Sequence, residues 1–320
     1  MRSKLWLLAI TLFACGGTAA STTVSTSTTA APATSVAPTT TAAVKGDFPV
    51  TLSAANGPVT IVERPEAIIS LAPTATEMLG AIDAMGQVVA VDDQSDYPPD
   101  APITDLSGFT PNIEAIASYE PDLVLVSNDI DGMVGALQSL DIPVLLLPAA
   151  ITFDDVYAQI ELLGAATGHV GEAQALTNSM RSEIEDLVDA YQPPAEPPTY
   201  YHELDPGLFS VTSSTFIGSI YALFGLQNIA DAADPDGFGY PQLSAEYIIS
   251  ANPDFIFLAD TQFAGQNATT VAQRPGWAEL SAVTANRIIE LDDDVASRWG
   301  PRVVDFVAAV ADALALAPVS

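Results

Sequence analysis

One uninterrupted helix sets the plan of this chain. From Val170 to Tyr191 the residues Ala173, Leu176, Met180, Ile184, Leu187 and Val188 recur at helical spacing with no proline between them. Such a helix would run about 33 Å. The segment Gln192-Pro-Pro-Ala-Glu-Pro-Pro198 ends it abruptly. On either side, short apolar runs alternate with helical patterns. Continuously apolar strands that alternate with helices form parallel sheets covered on both faces. The expected fold class is therefore α/β: two doubly wound lobes with central parallel sheets, joined by one long rigid backbone helix. The lobes span 47–168 and 193–320, and the helix 169–192.

In the first lobe a hairpin around Asn56-Gly57 pairs 50–52 with 59–62. Strands are predicted over 67–71, 88–91, 123–126 and 144–147. Helices are predicted over 74–84, 112–119, 133–140 and 153–166. Thr74-Ala-Thr-Glu77 reads as a capping box, with Glu77 reaching back to Thr74. In the second lobe strands are predicted over 200–204, 208–211, 255–259 and 288–291, and helices over 216–224, 245–251 and 302–315.

The first 46 residues do not belong to this fold. Arg2 and Lys4 precede an apolar run over 5–13. A bilayer-spanning helix takes about 20 apolar residues, so the run reads as a secretory signal. Leu12-Phe13-Ala14-Cys15 resembles the lipobox of bacterial lipoproteins, which implies a signal over 1–14, cleavage before Cys15 and lipid on that residue. Thr18 to Val44 holds only Ala, Ser, Thr, Pro and Val. With no side chain larger than valine it has nothing to build a core from, and 15–46 reads as a tether about 30 Å in reach.

Charge narrows the partners. The 40 acidic residues outnumber the 9 basic ones, for a net charge of −31, which excludes holding a phosphate backbone and so excludes nucleic acid. Yet 49% of residues are hydrophobic, so the body folds. Cys15 is the only cysteine, and His169 and His202 are the only histidines. Neither an intrachain disulfide nor a zinc or manganese cluster suits that set. No Gly-x-Ser-x-Gly elbow precedes a late histidine, so an α/β-hydrolase is not expected. A secreted hydrolase working through two carboxylates is the remote alternative, but no residue pair is singled out for it.

The two lobes share a repeat. Asn112-Ile-Glu114-Ala-Ile116-Ala-Ser-Tyr-Glu-Pro121-Asp122 matches Ser244-Ala-Glu246-Tyr-Ile248-Ile-Ser-Ala-Asn-Pro253-Asp254, and an apolar strand follows each. The proline stops a helix, the aspartate starts a turn and the isoleucine packs. The glutamate is the member that structure does not demand. It is either a first-turn acid favoured by the helix dipole, or one exposed carboxylate per lobe placed to meet two cationic sites on a partner.

These residues resemble the substrate-binding proteins of bacterial ABC importers, of the class that carries corrinoids, haem and ferric siderophores. Arg64-Pro65 through Ser70-Leu-Ala-Pro73-Thr-Ala-Thr-Glu77 looks like the opening of the class. Ser95-Asp96-Tyr97-Pro98-Pro99 and Ser297-Arg298-Trp299-Gly300-Pro301-Arg302 look most like its vitamin B12-binding members. The resemblance implies no catalysis and no resident cofactor. It implies a bound metal chelate, cobalamin or another corrinoid first, with a ferric siderophore or haem as the alternative. It also implies an ABC permease dimer with ATPase subunits as partner, docked through Glu114 and Glu246, and attachment to the outer face of the cell membrane through Cys15.

Where B12-binding members have aromatics, this chain has Gln94 in place of a tyrosine, Phe109 near a tryptophan position and Tyr240 in place of a tryptophan. Tyr97 and Trp299 belong to the shared motifs and complete the expected aromatic lining. Tyr201-His202-Glu203-Leu204-Asp205 is similar to a segment of lipoproteins assigned to cobalamin. There His202 and Asp205 would lie near the carboxyl end of a strand, where sheet ligands bind. Arg298 would meet a ligand carboxylate, amide or phosphate, and Arg302 would pair with carboxylates. Asp292-Asp-Asp294 reads as a solvated turn and Trp277 as packing.

Overall fold

The computed structural model describes residues 47–315. The signal, Cys15 and the tether up to residue 46 lie outside the described residues. The body opens with the hairpin of β1 (Val50–Ala54) and β2 (Gly57–Ile61), which are antiparallel. Gly57 takes φ 101° at the turn, a conformation that strains any residue with a Cβ.

Five parallel strands follow: β3 (Ile68–Leu71), β4 (Val88–Asp92), β5 (Ile103–Leu106), β6 (Leu123–Val126) and β7 (Val144–Leu146). Their order across the sheet is β5-β4-β3-β6-β7. The helices between them are α1 (Pro73–Ala81), α2 (Ile113–Ala117), α3 (Met133–Gln138) and α4 (Phe153–Thr167). Then comes α5 (Val170–Ala190), the backbone helix. The second lobe contains β8 (Thr199–Glu203), α6 (Phe216–Ala222), β9 (Gln227–Asn228), α7 (Ala245–Ala251), β10 (Phe255–Leu258), α8 (Ala268–Ala272), α9 (Ser281–Thr284), β11 (Ile288–Glu290), α10 (Asp293–Ser297) and α11 (Val303–Ala315). Its sheet is parallel, in the order β11-β10-β8-β9.

Burial explains the apolar strands. All four residues of β6 and all four of β10 are buried, as a strand covered on both faces requires. The helix α5 buries a single stripe, Ala173, Thr177, Met180 and Ile184, and packs against α4 and α11. One apolar cluster runs from the hairpin through α1, α4 and α5 to α6 and α11, so it is shared by both lobes. Two smaller clusters fill the outer faces of the two sheets.

The repeat has a structural content that is the same in both lobes. Asn112 Oδ1 accepts from the Ala115 amide at 3.0 Å, and Ser244 Oγ from the Tyr247 amide at 3.2 Å, each capping its helix. Glu120 and Asn252, the residues before the two prolines, take φ 52° and 48°. Asp122 then accepts from the Glu66 and Ala67 amides, and Asp254 from the Thr199 amide and hydroxyl. Each aspartate thus pins the start of the neighbouring central strand, β3 or β8.

Two local expectations are corrected. No capping box forms at Thr74: Ala72 is the N-cap without a side-chain bond, Pro73 occupies the first turn, and Glu77 is turned elsewhere. Residues 208–211 are not a strand. Leu208 takes φ 65°, which breaks the pleat and leaves only an isolated bridge between Phe209 and Gln242.

Candidate functional site: the seam between the lobes

In both sheets every strand is parallel, so the loops leaving the carboxyl ends gather along one edge. Three contacts bring the two edges together. Phe153 at the start of α4 meets Phe216 at the start of α6, with centroids 5.4 Å apart. The Trp299 indole donates to Gln159 of α4 at 3.1 Å. Beside them is a lattice of charge.

Glu77 of α1 is the centre of that lattice. Its side chain is 1% exposed and is gripped by two arginines of the other lobe. Arg302 Nε donates to Glu77 Oε2 at 3.0 Å and Nη2 to Oε1 at 2.6 Å. Arg298 Nη1 donates to Glu77 Oε1 at 2.9 Å and to Asp96 at 3.1 Å, while Nη2 meets the Gln94 carbonyl at 3.0 Å and Asp294 at 2.7 Å. The Arg302 guanidinium also lies 4.4 Å from the centroid of the Tyr97 ring. Hydrogen bonding to Glu77, against the opposing effect of burial, holds the Arg302 pKa above its ordinary value. Behind this lattice a cavity of about 340 Å³ opens between α1, α5 and α11, lined by Tyr97, Met180, Glu183 and Arg302.

Large aromatics stand exposed on the carboxyl-end loops. Phe109 follows β5 and is 66% exposed; Tyr240, between β8 and β10, is 44% exposed. Two more escaped the sequence reading. Phe238 packs edge-on against Tyr240 with centroids 6.5 Å apart, and Phe263 follows β10. Their signal was local: an aromatic in a Gly-rich or acid-anchored loop. Asp234 accepts from the Phe238 and Gly239 amides, and Asp293 from the amides of Thr261, Gln262 and Phe263. Asp292 accepts from the Asp294 and Val295 amides and caps α10. The acidic run 292–294 is therefore a set of anchors and not a solvated turn. None of these four aromatics lines the cavity behind the lattice.

The remaining candidates fall in different places. Gln94 and Tyr97 are exposed on the loop after β4. Asp205 is half-buried in a tight turn, accepting from the Gly207 amide at 2.7 Å. Trp299 is half-buried and packs on the shared core. Arg298 is accounted for by protein acceptors. His202 does not face the seam: it is fully buried, with Nδ1 2.8 Å from the Tyr221 hydroxyl and its ring against Phe306. Burial pushes its pKa down to about 3, so it stays neutral. Alternation along β8 is the cause, since Tyr200 and His202 point to the α6 and α11 side and Tyr201 and Glu203 to the other. Glu203 is buried in a two-pronged bond with Arg274, both contacts 2.5 Å, and Trp277 is buried under that guanidinium. Glu114 and Glu246 are both exposed in the first turns of α2 and α7.

The sequence model of the periplasmic binding proteins matches residues 68–295. The chain belongs to that family. Among its periplasmic binding protein relatives, an ABC transporter substrate-binding lipoprotein of Bacillus subtilis is 31% identical over 83% of this chain and 86% of its own length. A cobalamin-binding protein of Halobacterium salinarum is 32% identical over 83% of this chain and 74% of its own. The crystal structure of the periplasmic vitamin B12-binding protein of Vibrio cholerae superposes with a TM-score of 0.66 at 28% identity, covering 78% of this chain and 96% of the other. The fold class expected from the sequence is that of the family.

Proposed function

We propose that the protein is an extracytoplasmic binding lipoprotein of an ABC importer that captures a corrinoid, cobalamin first, between its lobes. The observation that carries this reading is the set of exposed aromatics, Phe109, Phe238, Tyr240 and Phe263, on loops at the carboxyl ends of the strands. Large apolar rings left exposed on these loops of both lobes mark surface suited to being covered, and a flat macrocycle offers faces for them. The named ligands of the relatives agree with it. Gln94, exposed where B12-binding members carry a tyrosine, keeps a ferric siderophore or haem as the second reading.

In this scheme Glu114 and Glu246 dock on the permease dimer, Cys15 carries the lipid, and the protein performs no chemistry itself. The test is equilibrium titration of the purified protein with cyanocobalamin, haemin and a ferric hydroxamate, followed by absorbance. Saturable cyanocobalamin binding that falls tenfold or more in Phe109→Ala and Tyr240→Ala, about 1.4 kcal/mol each, is the expected result. Saturation by haemin or the hydroxamate alone would transfer the reading to that ligand.

A further inference from the structure

The loop between β4 and β5 belongs to the first lobe by sequence, yet half of what holds it comes from the second. On its own side, Ser95 Oγ and Thr76 Oγ1 are 3.0 Å apart, Thr76 Oγ1 donates to Ser70 Oγ at 2.9 Å, and all three hydroxyls are buried. Pro98 sits so close on α1 that a Cβ added to Gly80 would come within 2.9 Å of Pro98 Cγ. From the opposite lobe, Arg298 takes the Gln94 carbonyl and the Asp96 carboxylate, and Arg302 lies over the Tyr97 ring. The arginines hold three of the loop's exposed residues, Gln94, Asp96 and Tyr97.

The arginines are themselves fixed before they touch the loop. A guanidinium is planar, so its edge can fork onto a carboxylate while its face covers a ring. Arg302 does both, with Glu77 at its edge and Tyr97 on its face. Glu77, almost without exposure, ties both arginines to α1. Arg298 leaves the end of α10 and Arg302 precedes α11, so both move with the second lobe.

We infer that Arg298 and Arg302 are positioning residues: held by Glu77, they shape the Gln94–Tyr97 loop from the opposite lobe and tie its conformation to the angle between the lobes. The claim that this loop meets ligand rests on the function proposed above; the claim that the arginines shape it does not. A partner that spread the lobes would loosen this loop without touching the ligand.

The experiment is amide hydrogen exchange over residues 93–97 in the ligand-free full-length protein, with cyanocobalamin affinity measured on the same samples. Arg302→Met and Tyr97→Leu should each speed loop exchange about tenfold while β10 and β11 stay protected. The double variant should do no more than Arg302→Met alone, since that substitution already removes the contact Tyr97→Leu would remove. Tyr97→Phe, which keeps the ring, should retain wild-type protection; a role for the hydroxyl alone would reverse that result and overturn the inference. Unchanged loop exchange in Arg302→Met would also overturn it. Should that variant not fold, Tyr97→Leu and Asp96→Asn, both at exposed positions, carry the comparison, and unchanged exchange in both overturns it. Wherever exchange rises, affinity for cyanocobalamin should fall by a similar factor; faster exchange with affinity unchanged would overturn the claim that this loop meets the ligand and leave the arginines as what shapes it. If the wild type binds no cyanocobalamin, the proposed ligand fails, and the exchange data still decide what shapes the loop.

Discussion

Asp260, two residues beyond β10, is fully buried, and neither of its carboxylate oxygens has a hydrogen-bond partner. Burial, then the neighbouring Glu203, raises its pKa from 3.8 to about 7. Arg274 already serves Glu203 and offsets only part of this. A group whose folded pKa lies above its unfolded one binds its proton more tightly when folded. Its contribution is complete below about pH 4 and is lost as the pH rises through about 7. His202 acts in the opposite sense, because its depressed pKa makes stability fall as the pH drops below 6.5. The two are separable by substitution. Asp260→Asn should gain stability relative to wild type as the pH rises from 5 to 8, read as the difference in urea midpoint at each pH. A constant difference would show that Asp260 is ionised throughout. Neither residue's situation was legible in the sequence. His202 stands at a strand end, where cleft residues are found, and only the alternation of β8 sends its ring into the core.

At the scale of elements, most of the pattern was legible, because apolar runs and helix stops are local. The strands at the centre of each sheet, β3, β6, β8 and β10, all lie where the runs placed them. What escaped was short or mixed: the two residues of β9, the alternating Ile-Thr-Asp-Leu of β5, and the single turns α8 to α10. The repeat was visible as spelling, but its main work, pinning the adjacent strand through Asp122 and Asp254, joins residues 55 or 56 apart. A buried or half-buried carboxylate that accepts from backbone amides contributes about 1.5–3 kcal/mol. Asp254→Ala should therefore lower stability by about that amount, and Asp122→Ala by less because its contacts are more exposed. Thermal denaturation of both variants checks the order. Equal, negligible losses would mean that the ladders hold register without the clamp.

For the whole molecule, the sequence told of two lobes and a helix but not of how they touch. Glu77 and its arginines lie 221 and 225 residues apart, and no local signal links such distant positions. The Thr74–Glu77 spelling even suggested a different use for that acid. The aromatic loops were half legible, through Phe109 and Tyr240. The repeated glutamates are a whole-molecule matter, since each is exposed at the same helical position in its own lobe. Reversing both, Glu114→Lys with Glu246→Lys, should abolish ligand uptake in cells while affinity in solution is kept. Charge at such a surface sets orientation and encounter. A loss of affinity would show that the two acids serve the ligand instead.

One feature of the hairpin bears on how many copies can crowd together. The strand β7 is the outer strand of its sheet, and an outer strand offers its amides and carbonyls to any neighbour. Here the side chain of Asn56 imitates a peptide unit. Its amide donates to the Val144 carbonyl at 2.9 Å, and its oxygen accepts from the Leu146 amide at 3.2 Å. The Ala55 amide reaches the Leu146 carbonyl at 3.4 Å. The border is thus stitched shut by the chain's own turn, and molecules packed side by side find no open seam there along which to zip into fibres.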